Sequence, residues 1–183
     1  MTELQKMLSG ELYDPLDFEL TAARKACRDL TKRLNDSAED EVELRKATLN
    51  ELFGYETDAW IQPPFFCDYG TNIRLGKKVF FNFNSVVLDV MEVTIGDYTL
   101  FGPSVQIYTA MHPADAETRR KGVEFAKKVV IGSDVWFGGG AIVCPGVRIG
   151  DRCIIGAGSV VTRDIPDDVF AAGNPCKLIK SLK

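Results

Sequence analysis

The chain has a single histidine among 183 residues, no C-x-x-C pair among its five cysteines, no excess of basic charge and no long apolar run. Each shortage excludes something. One imidazole and scattered thiols cannot supply the ligand set of a dedicated zinc site, so no metal is expected. Cys27, Cys67, Cys144, Cys153 and Cys176 are odd in number and scattered, which fits reduced, packed thiols better than a disulfide framework. A formal net charge of -4 argues against a nucleic-acid binder, whose footprint would be a basic stripe. No stretch approaches the length of apolar sequence needed to cross a bilayer, and the opening "MTELQKMLSG" lacks a signal-peptide core. The expectation is a cytoplasmic protein with neither nucleic-acid nor membrane partners.

What the chain does contain is enough apolar sequence, 45%, for one principal domain with an accessory segment. Residues 1 to 58 read as helical. Leu20, Ala23, Cys27, Leu30 and Leu34 recur at steps of three and four, which lines them along one helix face. "NDS" at 35 to 37 interrupts the pattern. A second helix carries Val42, Leu49, Leu52 and Phe53 before Gly54, a suitable C-cap. This α-hairpin would cover one end or side of the larger C-terminal region.

From residue 59 to 183 the period changes. Ile131, Phe137, Val143, Ile149, Ile155 and Val161 are each six residues apart, followed mostly by glycine, with small or apolar residues at the fourth place after each. Ile95, Phe101 and Ile107 carry the same spacing, and Leu75, Phe81 and Val87 begin it. Six fits neither a helix nor a flat alternating strand; it fits a parallel β-helix in which each hexad contributes one short strand and a turn. Ile107 to Ile131 spans 24 residues, four hexads, so the polar excursion from about 110 to 128 keeps the period.

"GELY", "FNFN", "YTAMHP", "VWFGG", "CPGV" and "AAGNPCKLIK", together with "CDYG" and "GAGSVVT", resemble the maltose and galactoside O-acetyltransferase family of hexapeptide-repeat acyltransferases across nearly the whole chain. The resemblance implies a left-handed parallel β-helix, a homotrimer, and acetyl transfer from acetyl-CoA to a sugar hydroxyl.

His112 is the natural candidate for the base. It stands where the chain leaves the repeat, and loops carried on a rigid scaffold are where function concentrates. An imidazole titrates near neutrality, as a general base requires, and "T-A-M-H-P" matches the family's catalytic histidine. Glu124 is the candidate partner that fixes the imidazole tautomer. The resemblance points to the Gly139 amide as donor to the oxyanion, and to Asp68, Asn82 and Asp89 as sugar contacts. A sugar-contacting aspartate of the galactoside branch falls at Pro15 here, which leaves Asp14 or Asp17 as substitutes. For acetyl-CoA the matching positions are Trp136, Gly139, Ala157, Thr162, Arg163, Lys177 and Lys180. The last two are lysines where the galactoside branch has arginine, so charge is kept and bidentate geometry is lost.

Rival functions on the same repeat are an acetyltransferase for another small hydroxyl, such as an antibiotic or serine, and a non-enzymatic scaffold. A zinc hydratase that needs three histidines is excluded by the single one.

Overall fold

The computed structural model describes all 183 residues. Three helices lead: α1 (Glu3–Ser9), α2 (Phe18–Asn35) and α3 (Val42–Phe53). The anticipated hairpin is α2 and α3, and α3 ends at Gly54 with φ 77°. Leu20, Cys27 and Leu34 are buried as their spacing requires, but Ala23 and Val42 face solvent, and Thr31 completes the inward stripe. The small α1, which periodicity did not anticipate, is closed by a capping box between Thr2 and Gln5. Leu34, Leu49, Leu52 and Phe53 belong to the same 32-residue core cluster as the repeats, so the hairpin plugs the solenoid rather than standing apart.

The rest is a parallel β-solenoid with three faces. Face I stacks Trp60–Ile61, Phe80–Phe81, Leu100–Phe101, Trp136–Phe137, Ile154–Ile155 and Val169–Ala172, and ends in the antiparallel return strand Lys177–Ser181. Face II stacks Phe65–Cys67, Ser85–Leu88, Gln106–Tyr108, Ile142–Val143 and Val160–Val161. Face III stacks Ile73–Leu75, Val93–Ile95, Val129–Ile131 and Arg148–Ile149. The chain visits the faces in the order I, II, III. Each hexad's leading residue points inward, and Phe81, Phe101 and Phe137 stack at 4.2 and 4.7 Å between ring centroids.

Two details refine the repeat. The glycine after each core residue does not make the turn. A Cβ on Gly138 would lie 2.4 Å from the Ala157 backbone nitrogen of the next coil, so glycine there permits coils to stack. The left-handed corner falls three residues after the core residue instead, at Asn84, Tyr98, Ser104, Asp134, Gly140, Gly146, Arg152 and Gly158. The period also slips: Trp60 pairs with Phe80 and Phe80 with Leu100, 20 residues per turn, whereas Trp136 pairs with Ile154, 18 residues on. The two added residues fall at the corner between faces II and III, the corner that holds Asp68 and Asp89. The stretch from Ile107 to Ile131 is a single passage across this same corner, extended outward, and not four further strands.

Candidate active site

The extended corner folds into a small hairpin. Ala110–Met111 pairs antiparallel with Phe125–Ala126, in the register Met111 opposite Phe125. The paired register stops at Met111 and Phe125; His112 and Glu124 are the next residues outward on the two strands, and no hydrogen bond joins their side chains. The tip carries the short helix α4 (Ala116–Arg120), capped by Asp115. His112 is exposed, whereas Glu124 is half-buried. The Glu124 Oε2 accepts a hydrogen bond from the Tyr13 hydroxyl at 2.7 Å, and the backbones of Tyr13 and Glu124 exchange two more at 2.9 and 3.1 Å.

Around this corner the structure gathers polar side chains that sequence reasoning missed. Arg24, on α2, donates from Nη1 to the Tyr69 hydroxyl at 2.7 Å and from Nη2 to the Pro15 carbonyl. Burial pushes the Asp68 carboxyl up; Arg24 opposes this and Glu124 adds to it, which places all three within electrostatic reach of one another. Tyr13 and Tyr69 are also packed together in a six-residue apolar cluster with Met7, Leu20, Val90 and Ala126. Two carboxylates, two phenols and a guanidinium thus converge at the corner from which the hairpin carrying His112 extends. Tyr13 and Tyr69 lie within the stretches "GELY" and "CDYG", to which the pattern gives no role, and Arg24 is an isolated polar residue in a helical segment. Asp14 and Asp17 are otherwise engaged: Asp14 Oδ1 accepts from the Leu16 amide, and Asp17 caps α2.

Asp89 has no exposed surface. Its Oδ1 accepts the amides of Asp68 and Tyr69, each at 2.9 Å, and its Oδ2 has no partner. It braces the corner from beneath. Burial pushes its carboxyl up to about 7, against the lowering effect of the two amides. The folded value therefore lies above the unfolded one, so the stability Asp89 lends is complete below pH about 4 and drains away as pH rises through 7. In Asp89→Asn, which keeps an oxygen for both amides, a slope amounting to about 2 kcal/mol between pH 5 and 7 is expected to vanish from a chemical-denaturation series. A variant with the parental pH slope would mean that Asp89 is ionised in the folded protein throughout.

Most of the acetyl-CoA candidates lie elsewhere. Trp136, Ala157 and Lys180 line a groove of about 430 Å³ on face I with Ile154, Phe170 and Leu182. Lys180 sits opposite Phe170 on the return strand. Gly139 lies at the corner between faces I and II, and its amide donates to no acceptor in the chain. Asn82 is at that same corner, where its Oδ1 accepts from the Phe83 amide at 2.7 Å. Thr162 and Arg163 are exposed at the corner between faces II and III, below Asp68 and the hairpin. Neither Arg163, Lys177 nor Lys180 takes part in any ion pair, in contrast with Arg152 and Lys183, which both hold Asp168. The candidates therefore divide among three places: the corner between faces II and III, with His112, Glu124, Asp68 and Asp89 and also Thr162 and Arg163; the corner between faces I and II, with Gly139 and Asn82; and the groove on face I.

A parallel β-solenoid built on six-residue repeats is the fold of the hexapeptide-repeat acyltransferases. Comparison with known proteins agrees: residues 6–55 match the maltose acetyltransferase hexapeptide capping motif, and residues 128–163 match the bacterial transferase hexapeptide repeat. The fold is similar to a maltose O-acetyltransferase from Clostridium difficile 630, with a TM-score of 0.98 and 47% identity over 100% of this chain and 98% of that one. A hexapeptide-repeat-containing acetyltransferase from Vibrio cholerae O1 biovar eltor, solved with acetyl coenzyme A, gives a TM-score of 0.91 and 43% identity over 100% of both chains. Nodulation protein L of Rhizobium meliloti (strain 1021) is 48% identical over 178 residues, 97% of each chain. The chain belongs to the maltose and galactoside O-acetyltransferase family. No helix is long and apolar enough to cross a membrane.

Proposed function

We propose that the protein transfers the acetyl group of acetyl-CoA to a sugar hydroxyl by direct attack in a ternary complex. The observation that carries this reading is the convergence of Asp68, Glu124, Tyr13, Tyr69 and Arg24 at the base of the hairpin that carries His112, a set of donors and acceptors suited to several hydroxyls at once. The acceptor oxygen attacks the thioester carbonyl carbon while His112 removes its proton. The Gly139 amide, free within the chain, donates to the oxygen that becomes negative. The C–S bond then breaks and the imidazolium returns the proton to the thiolate, releasing CoA and the O-acetyl sugar. Glu124 holds the imidazole tautomer; Asp68 and Asn82 hold the acceptor; Asp89 supports Asp68 from below.

The face I groove suits the pantetheine arm: it is apolar on Trp136, Ile154 and Phe170, and Lys180 stands at its end. Thr162, Arg163 and Lys177 complete the binding surface. The outward-facing ladders support a trimer. Face I presents Trp60, Phe80, Leu100, Trp136, Ile154 and Phe170 in register, and face II presents Phe66, Val86, Gln106, Ile142 and Val160. Face III shows Arg74, Thr94, Val130 and Arg148. Two apolar faces and one polar face suit a ring in which face I of one copy covers face II of the next.

The test is a panel of maltose, glucose, galactosides, serine and small alcohols, read by release of the CoA thiol. Sugars should react far faster than the rest. Preference for serine or an antibiotic would move the chain to another acceptor class, and absence of both turnover and CoA-agarose retention would make it a scaffold. Lys177→Ala with Lys180→Ala should raise KM for acetyl-CoA about 10-fold while changing kcat less, and the difference should shrink as salt rises. A sugar KM that rises while that for acetyl-CoA stays at the parental value would show the basic strand to be misassigned.

A further inference from the structure

Glu124 lies between two neighbours. On one side it directly precedes the hairpin pair Met111–Phe125, which His112 directly follows on the facing strand; on the other, Tyr13 pairs with it through two backbone hydrogen bonds and the phenol. We propose that Tyr13 is a positioning residue for acetyl transfer: its hydroxyl holds one oxygen of Glu124 so that the other is presented to His112. The inference rests on the reading of Glu124 as the partner of the base.

Three features of the structure support it. A carboxylate on a half-buried hairpin strand has free rotation about its side-chain torsions unless something fixes it, and each competing rotamer dilutes the productive one. Tyr13 supplies that restraint from a rigid position. Its ring is 1% exposed and packed within the cluster of Met7, Leu20, Tyr69, Val90 and Ala126, so its hydroxyl is aimed before Glu124 arrives. Burial, reinforced by the hydrogen bond to Glu124, pushes the phenol far above the usual tyrosine range, so it remains a donor at every working pH. The arm that carries Tyr13 is 111 residues distant in sequence from Glu124, yet it adds a third strand-like partner to the catalytic hairpin. The N-terminal segment is then part of the reaction machinery and not only a cover for the solenoid.

Tyr13→Phe deletes the hydroxyl and keeps the ring, so the apolar cluster stays filled. The expected result is a fall in kcat of about 10-fold with KM for acetyl-CoA unchanged, and a thermal midpoint within about 4 °C of the parent. Glu124→Gln should lower kcat at least as much, and the double variant should be no slower than Glu124→Gln alone, because the hydroxyl acts only through that carboxylate. A merely structural role would instead lower the thermal midpoint and leave kcat per folded enzyme intact. Parental kcat in Tyr13→Phe alongside a slow Glu124→Gln overturns the inference and leaves the Glu124 reading standing. Losses that multiply in the double variant also overturn it, since Tyr13 would then act elsewhere. Parental kcat in Glu124→Gln removes the Glu124 reading and the inference with it.

Discussion

His112→Ala is expected to lower kcat by about 10²- to 10⁴-fold while leaving the affinity for acetyl-CoA close to that of the parent. The expectation has two structural grounds. The protein has no second histidine, so no neighbouring imidazole can take over the proton. The side chain is exposed on the corner hairpin and makes no hydrogen bond within the chain, so its removal costs no packing and the fold should survive. Steady-state thiol release gives kcat, and calorimetric titration with CoA gives the affinity. The groove lies on the opposite face, which is why binding and chemistry should separate. An alanine variant that turns over at the parental rate would remove His112 from the mechanism, and one that loses CoA affinity as well would place the imidazole in the cosubstrate site.

The solenoid was legible because every coil repeats the same physical demand. A residue such as Phe101 lies between Phe81 above and Phe137 below, so an apolar side chain must recur in each hexad, and the spacing exposes it. The reason for the glycines was not legible. Stacking distance fixes their place after each core residue, while the left-handed corners fall elsewhere and hold Asn84, Tyr98 and Ser104 as well as Gly140. Sequence pattern shows where small residues recur and is silent on whether the backbone or the neighbouring coil requires it.

The candidate site was legible only in part, for a related reason. His112 and Glu124 could be singled out because the hairpin breaks the repeat, and their register is local. Tyr13, Arg24 and Tyr69 depend on an arm folding back across the corner, a contact that belongs to no period. Asp89 resembled a sugar contact by position, yet its complete burial makes it the brace beneath Asp68. The division of the residues among two corners and face I was also invisible, because the two residues added per turn in the first coils shift the phase of every corner before the hairpin.

That division leads to the second large effect, the rescue of one inactive chain by another. In a triangular coil the corner between faces II and III is the one that face I does not touch. The width of face II alone, about 10 Å at 3.3 Å per residue, separates His112's corner from that of Gly139. With His112 as the base and the groove as the cosubstrate site, the proposed mechanism needs the corner of one copy against face I of another. Co-refolding His112→Ala with Lys177→Ala/Lys180→Ala at equal amounts should place both intact partners together in about a quarter of sites under random assembly. Assayed at limiting acetyl-CoA, where the lysine variant is nearly silent, the mixture should rise well above either parent toward that fraction. Verified mixed trimers without rescue would assign the histidine and the lysines of each site to one subunit. A sedimentation profile showing monomers at working concentration would remove the shared site, because the groove and the base could then meet only through a rearrangement that the rigid stacking of the coils opposes.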